Sequence, residues 1–155
     1  MERSGGDEGQ AGRECVFWHG RIVARTVAAM PTPEQVRGAI SSYVGAIHAK
    51  DRESFLGLFA PDAVTQDPVP GPLNEGPDGI AGWWDSMLAP LEKVVFDIRD
   101  VHVCGDQAAM VWTITATPPG GSPFQMKGVD VFTVADDGKI RRMYAYWDPA
   151  EIATA

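Results

Sequence analysis

Between Val94 and Trp147 the chain runs through four closely spaced segments rich in β-branched and aromatic residues, and only turn signals separate them. Val94 to Val103 and Gln107 to Thr117 are joined by Gly105-Asp106, a pair suited to a tight hairpin turn. PPGGSP leads into a third run, Phe124 to Ala135, and Asp136-Asp137-Gly138 turns the chain into a fourth, Lys139 to Trp147. The second half therefore reads as an antiparallel meander. The first half reads as helix: Thr32 caps a segment with Pro33 at its first position, and Val36, Ile40, Tyr43, Val44 and Ile47 recur at three- and four-residue spacing up to Lys50. A shorter helix follows Asp51, with Phe55, Leu58 and Phe59 on one face and Pro61 helping to end it. AVTQDP is a strand, VPGPLNEGP a loop, and a third helix carries Ile80, Trp83, Trp84, Met87 and Leu88 before Pro90. Helices first and a meander afterwards give an α+β domain, with N-terminal helices packed on one face of a curved antiparallel sheet.

Length and charge restrict what such a domain can do. The 155 residues, 45% of them hydrophobic, build one domain with a core large enough to enclose a small molecule. A formal net charge of −8 leaves no clustered Lys and Arg for phosphates, so nucleic acid is not an expected partner. No stretch approaches the ~20 apolar residues of a membrane span. The expected partners are a small hydrophobic molecule and a second copy of the chain. Cys15 and Cys104 lack metal-ligand spacing and read as free thiols, which suits a cytoplasmic protein. Residues 1–29 are polar, Gly-rich and broken by His19, Arg21 and Arg25, which fits neither a secretory signal nor a transit peptide. They read as a disordered or misassigned extension, or else as a short docking helix, ahead of a domain spanning residues 30–155.

Three acidic side chains on separate apolar segments carry the chemical signal. Tyr43 lies on the apolar face of the first helix, Asp67 at the end of a short strand before Pro68, and Asp130 in the strand VDVFTV. Alone, Tyr43 reads as a core tyrosine and Asp67 as a turn residue. Asp130 is different, because alternation places it and Phe132 on one face of a strand that is largely apolar on both faces. Unless that face meets solvent, the carboxyl must respond with a raised pKa or a close partner. A tyrosine and a carboxyl group in one apolar pocket can donate hydrogen bonds to a developing oxyanion while a second carboxylate moves a proton. Asp78, Asp106, Asp136 and Asp137 are explained as turn formers. His48 and His102 lack metal-binding spacing, and neither a nucleophile elbow nor a Gly-rich phosphate loop is present.

The helix SSYVGAIHAKD, the run LFAPDAVTQDPV, the loop and helix EGPDGIAGWW and the end VDVFTVADDGKIRRMYAYW resemble, in order and spacing, the ketosteroid isomerases of the nuclear transport factor 2-like, or SnoaL-like, superfamily. The resemblance covers roughly Thr32 to Ile152 and implies a cystatin-like conical barrel. It places the family's catalytic tyrosine, base and oxyanion-hole aspartate on Tyr43, Asp67 and Asp130. It also implies a pocket wall formed by Phe132, Met143, Ala145, Trp147 and Trp112. Phe59 and Trp84 stand where some members extend a hydrogen-bond chain through tyrosines. Phe59 cannot donate, and Trp84 offers only an indole N–H.

The implied activity is that of a steroid Delta-isomerase, an intramolecular enzyme that moves a double bond from the Delta5 to the Delta4 position of a 3-ketosteroid through a dienolate. The chemistry is the family's own, carried over by resemblance. Asp67 would shuttle the proton while Tyr43 and a neutral Asp130 hold the enolate oxygen. An ionised Asp130 about 4 Å from that oxygen would cost roughly 4 kcal/mol at an effective dielectric near 20. The scheme requires no cofactor and no metal, and a homodimer is implied. The same fold also hosts polyketide cyclases, dehydratases and epoxide hydrolases, as well as non-catalytic binding modules. An epoxide hydrolase would set an Arg, for which Arg99 and Arg141 are available, beside two carboxylates.

Overall fold

The computed structural model describes residues 30–155, so the expectations for residues 1–29, and for Cys15 with them, lie outside the described residues. Helix α1 (Pro33–Ala49) begins as the sequence predicts. Thr32 Oγ1 accepts from the Gln35 N–H at 3.2 Å while Gln35 Oε1 accepts from the Thr32 N–H at 2.8 Å, a reciprocal cap that satisfies two donors at the helix start. α2 (Arg52–Leu56) is capped by Asp51, and α3 (Gly76–Trp83) continues into a π-helical turn, Trp84–Leu88. The strands are β1 (Phe59–Gln66), β2 (Leu73–Glu75), β3 (Lys93–Cys104), β4 (Gln107–Thr117), β5 (Phe124–Val134), β6 (Ile140–Tyr146) and the short β7 (Ala153–Thr154).

The strands form one sheet in the order β2-β1-β6-β5-β4-β3, with β7 added against the end of β5. β3 to β6 make the expected meander. The sheet is not antiparallel throughout, because β1 lies parallel to β6, with Thr65 opposite Met143 and Gln66 opposite Tyr144. β2, α3 with its π-helical turn, and β3 to β5 separate these strands in sequence, enough chain for the crossover that a parallel pair requires. Pro61 also behaves differently from its sequence reading: it lies inside β1, at the register break between Phe59 and Val64, where a residue without an N–H removes no ladder bond. Phe59 therefore opens a strand rather than closing a helix.

Further breaks between Ile98 and Asp100 and between Thr133 and Val134 bend the sheet, and β2 and β3 remain its open edges. The result is a curved, unclosed α+β cone. α1 packs across β3 and β4, and α3 across β1 and β2, so the helices cover the concave side. Val36, Ile40, Tyr43 and Ile47 of α1 are buried there against Phe55, Phe132 and Met110. No helix among the described residues is long and apolar enough to cross a membrane.

Candidate active site

Between the helices and the concave face lies a cavity of about 540 Å³, counting the space at its mouth, and Tyr43, Asp67 and Asp130 all line it. The sheet register explains how residues so distant in sequence meet. Asp130 on β5 stands opposite Met110 of β4 on one side and Ala145 of β6 on the other. The parallel β1–β6 pairing ends at Gln66 opposite Tyr144, and the Val69 N–H donates to the Ala145 carbonyl at 2.8 Å, so Asp67 leaves β1 beside the same alanine. Ala145, 2% exposed, is thus the small residue around which both carboxyl-bearing segments converge. Tyr43 comes from the opposite layer, with its ring edge-on to Phe132 at 5.2 Å and tilted against Phe55 at 5.5 Å.

Burial divides the two carboxyl groups. Asp130 is 2% exposed, and desolvation, followed by the charge of Asp67, holds its pKa well above the usual carboxylate range. One of its oxygens has no hydrogen-bond partner among the described residues. Trp112 is close enough for its indole to pull that pKa partly back, yet the pair falls short of hydrogen-bond geometry and the Trp112 N–H is likewise unpartnered. Asp67 is half-buried, and its pKa is also raised by desolvation, with an opposing hydrogen bond: the Trp147 indole N–H donates to Asp67 Oδ1 at 2.6 Å. The Tyr43 phenol is raised well above its ordinary value by burial first, then by Asp130 and Asp67, which keeps it a hydrogen-bond donor.

The wall is apolar: Ile47, Trp83, Met87, Leu88, Leu91, Val94, Phe96, Trp112, Ile114, Ala116, Met126 and Trp147 complete it. Of the residues expected in the wall, Trp112 and Trp147 line the cavity. Phe59, Trp84, Phe132, Met143 and Ala145 do not; they are buried in the adjoining core, where Phe132 supports Tyr43, and Phe59 and Trp84 pack on Phe55 at 5.1 and 4.7 Å. The missed wall residues follow an alternation present in the sequence: Val94 and Phe96 on β3, Trp112, Ile114 and Ala116 on β4, and Met126 in step with Asp130 on β5.

The mouth is held by a residue that sequence reasoning passed over. Lys50, the left-handed C-cap of α1 (φ 54°), extends its ammonium to the carbonyls of Leu88 at 2.8 Å, Ala89 at 3.1 Å and Leu91. It gathers carbonyls left over where the π-helical turn ends, a favourable place for a cation, and so ties the Met87–Leu91 wall to α1. Neither Arg expected in an epoxide-hydrolase arrangement reaches the cavity: Arg99 pairs with Asp97 at 2.8 Å and Arg141 with Asp62 at 3.0 Å, both exposed.

Residues 40–143, most of the chain, match the SnoaL-like domain family. The chain is 28% identical over 118 residues to a steroid Delta-isomerase of Nocardioides simplex, a similarity covering 76% of this chain and 94% of that protein. Its fold is similar to the Delta 5-3-ketosteroid isomerase from Mycobacterium sp. (TM-score 0.71, 22% identity, 78% of this chain and 98% of that one). It is equally similar to SalBIII, an epoxide hydrolase/cyclase-like enzyme with a role in pyran ring formation (TM-score 0.72, 20% identity, 79% of this chain and 97% of that one). The chain belongs to the SnoaL-like domain family, within the nuclear transport factor 2-like superfamily.

Proposed function

We propose that this SnoaL-like domain is a steroid Delta-isomerase, converting a β,γ-unsaturated 3-ketosteroid into its conjugated isomer by intramolecular proton transfer. The observation that carries the reading is the convergence, in one apolar cavity, of a fully buried carboxyl, a half-buried carboxyl and a buried phenol. Asp67, which ionises the more readily of the two, removes the proton between the ketone and the isolated double bond. It then returns that proton to the far end of the dienolate. Tyr43 and neutral Asp130 donate to the oxygen on which negative charge develops, in a site where little water competes for those donors. The Trp147 N–H holds Asp67 by one oxygen, leaving the other free to take the proton.

The substrate class follows from the wall, whose aromatic and aliphatic side chains offer almost nothing polar apart from the three acidic groups and the indole N–H groups. A rigid, largely hydrocarbon ketone suits such a pocket. An epoxide-opening reading would call for an Arg among the cavity residues, and Arg99 and Arg141 are both engaged elsewhere. The protein acts as a homodimer through the outer face of the sheet, where Val95 and Tyr146 are exposed. Sedimentation as a monomer at micromolar concentration would remove that part of the reading.

The deciding assay is ultraviolet absorbance after adding a β,γ-unsaturated 3-ketosteroid. The conjugated product absorbs and the substrate does not, so a rise in absorbance at a rate proportional to protein supports the isomerase. No rise with steroid demonstrably bound would leave a binding module or another chemistry.

A further inference from the structure

Three buried polar atoms on residues that line the cavity lack hydrogen-bond partners among the described residues: the Trp83 indole nitrogen and, on two side chains that are neighbours in the sheet, the Trp112 indole nitrogen and one oxygen of Asp130. The sheet explains why they are neighbours. Trp112 on β4 stands directly opposite Gly128 on β5, and Asp130 is the next residue of β5 on the same face, a diagonal neighbour within reach of a large ring. Gly128 makes the approach possible. A Cβ there would meet Trp112 Cζ2 at 2.6 Å and Cη2 at 2.8 Å, as well as the Tyr146 carbonyl oxygen at 2.7 Å. The indole thus lies across β5 over the one residue with no side chain to lift it away, on the side of Asp130.

We propose that Trp112 is a positioning residue whose indole N–H takes one oxygen of Asp130 as its acceptor, so that the other oxygen carries the proton offered to the ligand. A carboxylic acid has two oxygens and one proton, and no hydrogen bond from the other described residues fixes which oxygen bears it. Met110 and Ala145, the strand neighbours of Asp130, have no polar side-chain atoms, and the titratable groups facing it are Asp67 and Tyr43. An indole can only donate, so it selects the carbonyl oxygen of the acid and leaves the hydroxyl for the enolate. A small rotation of either side chain completes the bond, removing two unpaired buried polar groups at once. The same contact favours the ionised form, so Trp112 also limits how weak an acid Asp130 becomes.

The inference rests on the reading of Asp130 as the neutral oxyanion donor, but its test observes the carboxyl rather than turnover, so the two can fail separately. The full chain labelled with 13C at the aspartate carboxyls is titrated by NMR, with Asp130→Asn used to assign the resonance. In Trp112→Phe the Asp130 midpoint should move upward by about one pH unit, the effect of losing one hydrogen bond to a charged group. In the wild type the Trp112 indole N–H resonance should titrate with that same midpoint, a readout that does not depend on the variant folding. A Trp112 indole indifferent to the ionisation of Asp130, or a midpoint that is unchanged or lower in Trp112→Phe, would overturn the proposal.

Discussion

Asp130 stands in the middle of β5, with β4 on one side and β6 on the other, whereas Asp67 stands just past the end of β1, where the chain enters a Pro-rich loop. The floor around Asp130 is sheet and aromatic ring. The rim around Asp67 is chain ends: Trp147 beyond β6 and a π-helical turn tethered by Lys50. The same functional group is therefore placed once at the bottom of the cavity, where it is 2% exposed, and once where more of it remains exposed. A carboxyl in the floor resists ionisation more strongly than one in the rim, so in the proposed reaction position in the fold, rather than residue type, divides the roles of donor and base.

The largest test of that contrast removes the rim carboxylate. Asp67→Asn keeps the shape but cannot accept the proton, so turnover should fall by about 10³ to 10⁴ while steroid binding persists, as expected when a positioned base is lost. In the wild type kcat/KM should fall as pH drops through the Asp67 value, which burial places above 3.8. A variant of undiminished turnover would collapse the distinction between rim and floor.

Breaking the floor should cost less. Tyr43→Phe should lower turnover by about 10² to 10³, the usual penalty for one oxyanion donor. Asp130→Asn should be milder than Asp130→Ala, because an amide still donates. Steady-state kinetics on the three variants would check the order, and Tyr43 and Asp130 together need not give the product of the singles, since both serve one oxygen.

The floor also predicts a stability effect opposite to its catalytic one. A carboxyl whose folded pKa is raised contributes fully below its unfolded value, near 3.8, and that contribution is lost as pH rises through the raised value. At neutral pH Asp130→Asn should therefore unfold a few degrees above the wild type, equivalent to about 1 kcal/mol, and the gap should close in acid. Thermal melts across pH would measure it; a gap that widened in acid would reverse the assigned sign.

At the rim, Lys50→Met keeps the aliphatic stem and removes three charge-assisted contacts to the Leu88–Leu91 carbonyls. A dienolate-mimicking phenolic steroid should then bind about fivefold more weakly, or ~1 kcal/mol, with turnover at saturation little changed. The smallest effect expected is none: a chain beginning at Met30 should unfold at the same temperature as the full chain, and a drop of several degrees would show that the VFWHGRIV segment docks on the core.

Much of this arrangement was legible in the sequence, and the exceptions have physical causes. The meander from β3 to β6 announced itself through alternation and short turns. β2 and β7, of three and two residues, are too short to alternate, and the opening residues of β1, ahead of AVTQ, were concealed by Pro61, whose missing N–H falls on a register break. The acidic trio could be read because Asp130 is conspicuous in an apolar strand and the family resemblance joined to it Tyr43 and Asp67, which alone read as a core tyrosine and a turn residue. Position along the face could not: Phe132, Met143 and Ala145 share the cavity's side of the sheet with Ile114 and Met126 but lie in the adjoining packed core rather than against the open space. Lys50 carries no local mark, since its partners lie about forty residues on.

The central claim is that at neutral pH one carboxyl in this cavity is protonated and the other is not. Infrared difference spectroscopy of the wild type, Asp130→Asn and Asp67→Asn measures this directly, because a carboxylic acid and a carboxylate absorb at separate frequencies. The account predicts a protonated-carboxyl C=O band at neutral pH that disappears in Asp130→Asn and remains in Asp67→Asn. A band that disappeared instead with Asp67, or no such band in the wild type, would contradict it.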